Sequence, residues 1–264
     1  MRLLLVLSGV AAMGLAQAPV PEARALDGIA HVAFRVSDLS RSRGFYENLG
    51  FEQAFEFTDA KGATVSYIKV NDRQFIELYR RDEQSQALGL MHICFDAGDL
   101  AKVRAAYVEH GLKPVEIVKA RAGNLLFNLR DPEGQVLEYT QYMPGSLHSN
   151  ERGKHLGAKR ISGQLRGASS SVRDLGAGRD FYGVLGFVKE QSGDRLRVPG
   201  DSSEWVQLEA LTPEWKPRLE FVVEDMRRAA DELKSRGMMV DVTGRAAVVR
   251  DPDGVTLSFS REPK

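Results

Sequence analysis

Four short stretches of the chain carry a residue type able to hold a metal ion: HVAFRV from His31, FIELY from Phe75, MHICFD from Met91 and VLEYT from Val136. Side chains alternate across a strand, so His31, Ala33 and Arg35 share one face of the first stretch while Val32, Phe34 and Val36 take the other. The apolar triplet must pack on a helix, which sends His31 to the opposite, concave face. The same reasoning puts Glu77 with Phe75 and Tyr79, His92 with Cys94 and Asp96, and Glu138 with Val136 and Thr140. Two imidazoles and two carboxylates converging on one cavity need a reason, because ionisable groups are rarely buried unless paired or coordinated. A divalent cation supplies that reason.

The elements that position these residues form a repeat. GIAHVAFRVSDLSRSRGFYENLGF, from Gly28, and LRGASSSVRDLGAGRDFYGVLGF, from Leu165, are one element written twice, with His31 in the first copy and Gly167 in the second. Asp99-Leu100 matches Asp225-Met226, and Asp131-Pro132-Glu133-Gly134 matches Asp251-Pro252-Asp253-Gly254, a turn sequence common to both copies. Each copy divides again. A strand is followed by a helix that Ser37 or Asp38 caps, that shows Phe45, Tyr46 and Leu49 on one face and that Gly50 ends. Strands are expected around QAFEF, ATVSYIKV and QFIELY; the pattern restarts with MHICFD, a helix from Asp99 to about His110, and strands near PVEIV, NLLFNL and QVLEYTQ. The expected fold class is α+β, built from four βαβββ units. Aligned to the first copy, the second replaces His31 by Gly167, His92 by Arg218 and Glu138 by Ser258, and keeps a carboxylate, Glu209, near the Glu77 position. Arg218 is expected to pair with Glu209 where the metal would have been.

HVAFRVSDLSRSRGFYENLGF, FIELY, HICFDAGDL and RDPEGQVLEYTQ together resemble the vicinal oxygen chelate superfamily, the glyoxalase, bleomycin-resistance and extradiol-dioxygenase group. The resemblance covers residues 26 to 141 and, more weakly, 161 to 261. It implies two tandem domains in which paired units curve around one metal, with His31, Glu77, His92 and Glu138 at the ligand positions. It also implies one divalent ion, zinc, nickel, manganese or iron. Four ligands fit the glyoxalase and epimerase branch, a lyase or isomerase that acts on a small substrate with vicinal oxygens through an enediolate, with Glu138 or Glu77 as the catalytic base. His31, His92 and Glu138 alone would suit ferrous iron and a ring-cleaving extradiol dioxygenase. Glu77 as a fourth ligand weighs against that alternative, as does the placing of His110, His148 and His155 at a helix end or in the linker. A third reading is a small-molecule sequestering protein of the bleomycin-resistance kind. Arg35 is a candidate for binding a substrate carboxylate or phosphate, and Tyr67, Tyr79 and Asn128 are candidates to line the cavity.

The 264 residues carry 36 Lys and Arg against 36 Asp and Glu, which leaves no electrostatic footprint for nucleic acid or an anionic membrane. The partner expected is therefore a small molecule, met by a monomer or homodimer. Residues 1–25 have the layout of a secretory signal, cut after residue 18 or 25, so a periplasmic or secreted protein is expected. A metal-binding domain over 26–142, a polar linker over 143–160 and a degenerate domain over 161–264 complete the expected organisation. Both ligand-bearing units are in the first domain, so that domain either closes its own site or exchanges units with a second chain.

Overall fold

A computed structural model describes residues 24–58, 62–190 and 194–262. The expected export segment lies outside them apart from Arg24 and Ala25. The chain forms four strand–helix–three-strand units. The first holds β1 (Gly28–Val36), α1 (Leu39–Asn48), β2 (Glu52–Thr58), β3 (Thr64–Lys69) and β4 (Phe75–Arg80). The second holds β5 (Gly89–Asp96), α2 (Leu100–Glu109), β6 (Val118–Lys119), β7 (Leu125–Arg130) and β8 (Val136–Gln141). After a short helix α3 (Leu147–Asn150), the third holds β9 (Leu165–Val172), α4 (Leu175–Val184), β10 (Val188–Lys189), β11 (Arg195–Arg197) and β12 (Trp205–Ala210). The fourth holds β13 (Arg218–Val222), α5 (Met226–Ser235), β14 (Asp241–Thr243), β15 (Ala246–Arg250) and β16 (Thr256–Ser260).

Local chemistry sets these boundaries. Asp38, Asp99, Asp174 and Asp225 each cap a helix, their carboxylates accepting from backbone N–H groups of the first turn. Gly50 and Gly111 follow α1 and α2 with φ of 81° and 78°, a conformation that costs glycine nothing. The strand expected over PVEIV shrinks to the two residues of β6, because Val115 and Glu116 lie outside it in an edge segment whose Val115 N–H bonds to Asn128.

The strands form two eight-stranded sheets, ordered β2-β3-β4-β1-β5-β8-β7-β6 and β10-β11-β12-β9-β13-β16-β15-β14. In each, the first strands of neighbouring units pair antiparallel at the centre and the last strands flank them in parallel. The first two units therefore pair within one chain, which is the self-closing alternative. Their apolar faces and those of the other sheet merge in one continuous core, with Phe51 against Phe221 and Phe95 against Phe187 at ring-centroid distances of 5.6 and 5.2 Å. Among the described residues no helix is long and apolar enough to cross a membrane.

Candidate metal centre

The central pairing delivers the ligand candidates to one point. β1 and β5 set His31 beside Cys94 and Ala33 beside His92; β4 sets Glu77 beside Ala33; β8 sets Glu138 beside Cys94. His31 Nε2 lies 3.0 Å from His92 Nε2 and 3.3 Å from both Glu77 Oε1 and Glu138 Oε1. His92 Nε2 lies 4.0 Å from the nearer oxygen of each glutamate. Side-chain exposure is 5, 4, 11 and 13% for His31, Glu77, His92 and Glu138.

Atoms that share a cation at ~2.1 Å stand ~3.0–3.4 Å apart when adjacent, which is the spacing found around His31. The donor set of two imidazoles and two carboxylates also balances a dication in charge, where burial otherwise penalises both carboxylates. The residues present therefore fit a divalent ion held by His31, Glu77, His92 and Glu138.

The protein field separates the four groups. Burial pushes the Glu77 carboxyl up and Glu138 adds to this, although His31 and the Tyr79 and Tyr67 hydroxyls oppose it; Tyr79 donates to Glu77 Oε2 at 2.9 Å. Burial acts the same way on Glu138, but His92 and His31 overcome it and hold that carboxyl low, at about 2. Burial depresses His92 to about 4, which keeps it a neutral ligand, whereas Glu77 and Glu138 reverse the effect of burial at His31 and raise it. Burial lifts the Cys94 thiol well above its usual range, so it stays protonated beside Glu138 as a small packing group.

A cavity of about 300 Å³ opens beside the cluster, lined by Tyr67, Tyr79, Phe57, Leu126, Thr140 and His148 among others. Tyr67 and Tyr79 both stand in its wall. Asn128 stands opposite Glu138 across β7 and β8, with its Oδ1 unpartnered among the described residues, outside the cavity wall. Arg35 does not line the cavity; its guanidinium donates to the Ala87 carbonyl at 3.2 Å on the exposed side.

His148 corrects the expectation that the linker histidines stand apart from the site. The 143–160 segment folds onto the first domain: the fully buried Lys69 amine donates to the carbonyls of Glu151 and Lys154 and meets Asp72 at 2.7 Å. His148, on α3, is 5% exposed and forms part of the cavity wall. A polar segment without apolar periodicity offers no sequence signal for this placement.

The second sheet shows what replaces the cluster. Register sets Trp205 beside Gly167 and Gln207 beside Ser169, as Phe75 stands beside His31 and Glu77 beside Ala33, so Gln207 rather than Glu209 is the counterpart of Glu77. Glu209 corresponds to Tyr79. It does pair with Arg218, at 3.2 Å, and accepts from Trp215 Nε1 at 2.8 Å. The indole of Trp205 fills the space where a His31 equivalent would stand: a Cβ on Gly167 would lie 2.4 Å from its ring carbons.

Three comparisons bear on this architecture. Among solved structures, the chain superposes on the Mn(II)-bound glyoxalase from Novosphingobium aromaticivorans with a TM-score of 0.68 at 18% identity, covering 91% of this chain and 83% of that one. The 2,3-dioxygenase LapB from Pseudomonas sp. KL28 gives 0.70 at 16% identity over 91% and 93% of the two chains. An extradiol ring-cleaving dioxygenase from B. fuscum gives 0.67 at 17% identity over 93% and 75%. At such identities these likenesses speak for the fold alone. No curated protein matches closely enough to count as a relative. Residues 28–139 match the sequence profile of the Glyoxalase/Bleomycin resistance protein/Dioxygenase superfamily, and the second sheet repeats the strand order of the first.

Proposed function

We propose that the first domain is the metal centre of an exported, periplasmic or secreted lyase or isomerase of the glyoxalase type. Its substrate is a small molecule with two neighbouring oxygens. The observation that carries the reading is the buried cluster itself, with His31 Nε2 3.0 Å from His92 Nε2 and 3.3 Å from an oxygen of each glutamate, and His31, Glu77 and Glu138 lining a small cavity. A bound divalent ion there would act as a Lewis acid on the two oxygens and acidify the adjacent C–H bond. Glu77 is fixed by the Tyr79 hydroxyl and carries the role of permanent ligand. Glu138 is the more exposed carboxylate and lines the cavity, so it is the base that takes the proton. Phe57, Val65 and Leu126 make part of the cavity wall apolar, which favours a small, partly apolar substrate.

A second reading, ring cleavage with ferrous iron, gains from His148, which places in the cavity a further histidine that the sequence had assigned to the linker. One set of measurements separates the two. Elemental analysis of protein purified without chelators should give about one metal per chain, and little in a folded His31→Ala/His92→Ala variant. Deuterium exchange at the C–H of small α-hydroxy carbonyl compounds supports the first reading; oxygen uptake with catechols by the iron-loaded protein supports the second. A wild type that binds no metal after reconstitution overturns both.

A further inference from the structure

His148 is buried in the cavity wall but belongs to neither the ligand set nor the base. Its ring stands edge-on to Phe55, Tyr67 and Phe75 at centroid distances of 5.0, 5.3 and 4.7 Å, with Tyr142 tilted against it at 5.1 Å. These contacts fix the plane of the ring, and a chain of hydrogen bonds fixes its proton. The Met143 N–H donates to Asn124 Oδ1 at 3.1 Å, so the other end of that amide, Nδ2, is the one that faces His148. Nδ2 is a donor only, and it meets His148 Nδ1 at 2.9 Å. Nδ1 must accept, and the proton of the neutral ring is therefore on Nε2. That nitrogen is buried and has no partner among the described residues. Burial, seconded by His31, depresses the pKa of the ring to about 3, so it stays neutral at ordinary pH.

We infer that His148 donates its Nε2–H to one oxygen of the substrate, a small molecule with two neighbouring oxygens held between His148 and the His31, Glu77, His92 and Glu138 cluster. The inference rests on the function proposed above. A fixed neutral N–H is suited to an oxygen that gains negative charge, because it stabilises that charge without giving up its proton. An unmade hydrogen bond at a buried donor is costly, which gives the same group a role in selecting an oxygen-bearing ligand over an apolar one.

The test uses acetohydroxamate, whose two adjacent oxygens, one of them ionisable, imitate such a substrate. In the metal-loaded wild type labelled with nitrogen-15 histidine, NMR should show His148 protonated at Nε2, with that resonance shifting when acetohydroxamate binds. His148→Phe keeps the aromatic packing and removes the donor; calorimetric titration should show acetohydroxamate binding at least tenfold weaker with metal content unchanged. An Nδ1-protonated ring, an Nε2 signal indifferent to the probe, or a metal-loaded variant that binds within twofold of wild type overturns the inference alone. If the variant does not fold, the wild-type spectra decide. A wild type that holds no metal overturns the proposed function and this inference together.

Discussion

Restoring a side chain at Gly167 tests why the second sheet has no metal cluster. A methyl group there would sit 2.4 Å from Cε2 and Cζ2 and 2.5 Å from Cδ2 of Trp205. Carbon atoms prefer about 3.5–4.0 Å, so the indole would have to retreat by more than ~1 Å. It has little room, being 6% exposed and stacked with the Arg195 guanidinium at 3.9 Å. Overpacking of this kind costs about 1–3 kcal/mol, while replacing glycine within a strand returns about 0.5–1 kcal/mol. Gly167→Ala should therefore destabilise the second domain by ~1–2 kcal/mol. In a Trp205→Phe background, with the residue type that stands beside His31 at position 75, the same change should be neutral or stabilising, a coupling of ~1–3 kcal/mol. Both tryptophans of the chain, Trp205 and Trp215, lie in the second domain, so urea unfolding followed by tryptophan fluorescence reports it, with Trp215 left as the probe in the Phe background. A coupling below ~0.5 kcal/mol, or a Gly167→Ala protein more stable than wild type, would refute the reasoning.

Separate roles for the two glutamates predict that Glu77→Gln loses mainly metal, seen by elemental analysis. Glu138→Gln should slow substrate deuterium exchange by about 10²–10⁴-fold, more than any fall in its metal content explains; equal effects of the two would refute the division. Lys69→Met removes the donor to the Glu151 and Lys154 carbonyls and the partner of Asp72, at a cost of about 1–3 kcal/mol. Limited proteolysis should then cut faster near residues 151–154; an unchanged rate would show that Lys69 does not hold the segment. Burial raises Glu204 to about 7 while Ile29 N–H, Arg73 and Gln74 partner it. Because the folded pKa exceeds the unfolded one, near 4.5, its contribution is complete below pH 4.5 and is lost as pH rises through 7, about 3 kcal/mol in all. Urea midpoints at pH 5 and pH 8 should differ less in Glu204→Gln than in wild type; an identical fall would sink the assignment.

Much of the arrangement was legible because strands alternate with a period of two. His31, Glu77, His92 and Glu138 each stand among apolar neighbours, so their common face follows from the pattern, and the Asp and Gly punctuation of the four units locates the helices. The same period explains one misplacement: Gln207 and Glu209 share a face, and only the pairing of β12 with β9 shows that Gln207 is the Glu77 counterpart. His148 was illegible for another reason. Its ring packs on Phe55, Tyr67 and Phe75 and bonds to Asn124, all distant in sequence, which a four-residue helix in a polar segment cannot announce. The repeated Asp-Pro-x-Gly turn also carries more than turn chemistry. Glu133 accepts from Arg173 and Asp174 N–H, before α4, and Asp253 accepts from Ser37 N–H, before α1.

Those reciprocal bonds bear on why a sheet without metal ligands remains part of the molecule. Each turn from one domain meets the backbone just before a helix of the other, and the Tyr46 hydroxyl reaches Asp251 from inside the shared core. The two domains therefore bury one another's outer faces, a task that asks nothing of the concave side. On that side the second domain pairs its charges internally, Arg218 with Glu209 and Glu220 with Arg166 and Arg195, and Trp205 fills the volume left by Gly167. The first domain leaves its concave side with two imidazoles and two carboxylates gathered at His31 Nε2. Packing alone requires the fold of both copies and the cluster of neither. On the function proposed above, the cluster is accounted for by what it binds rather than by what it supports.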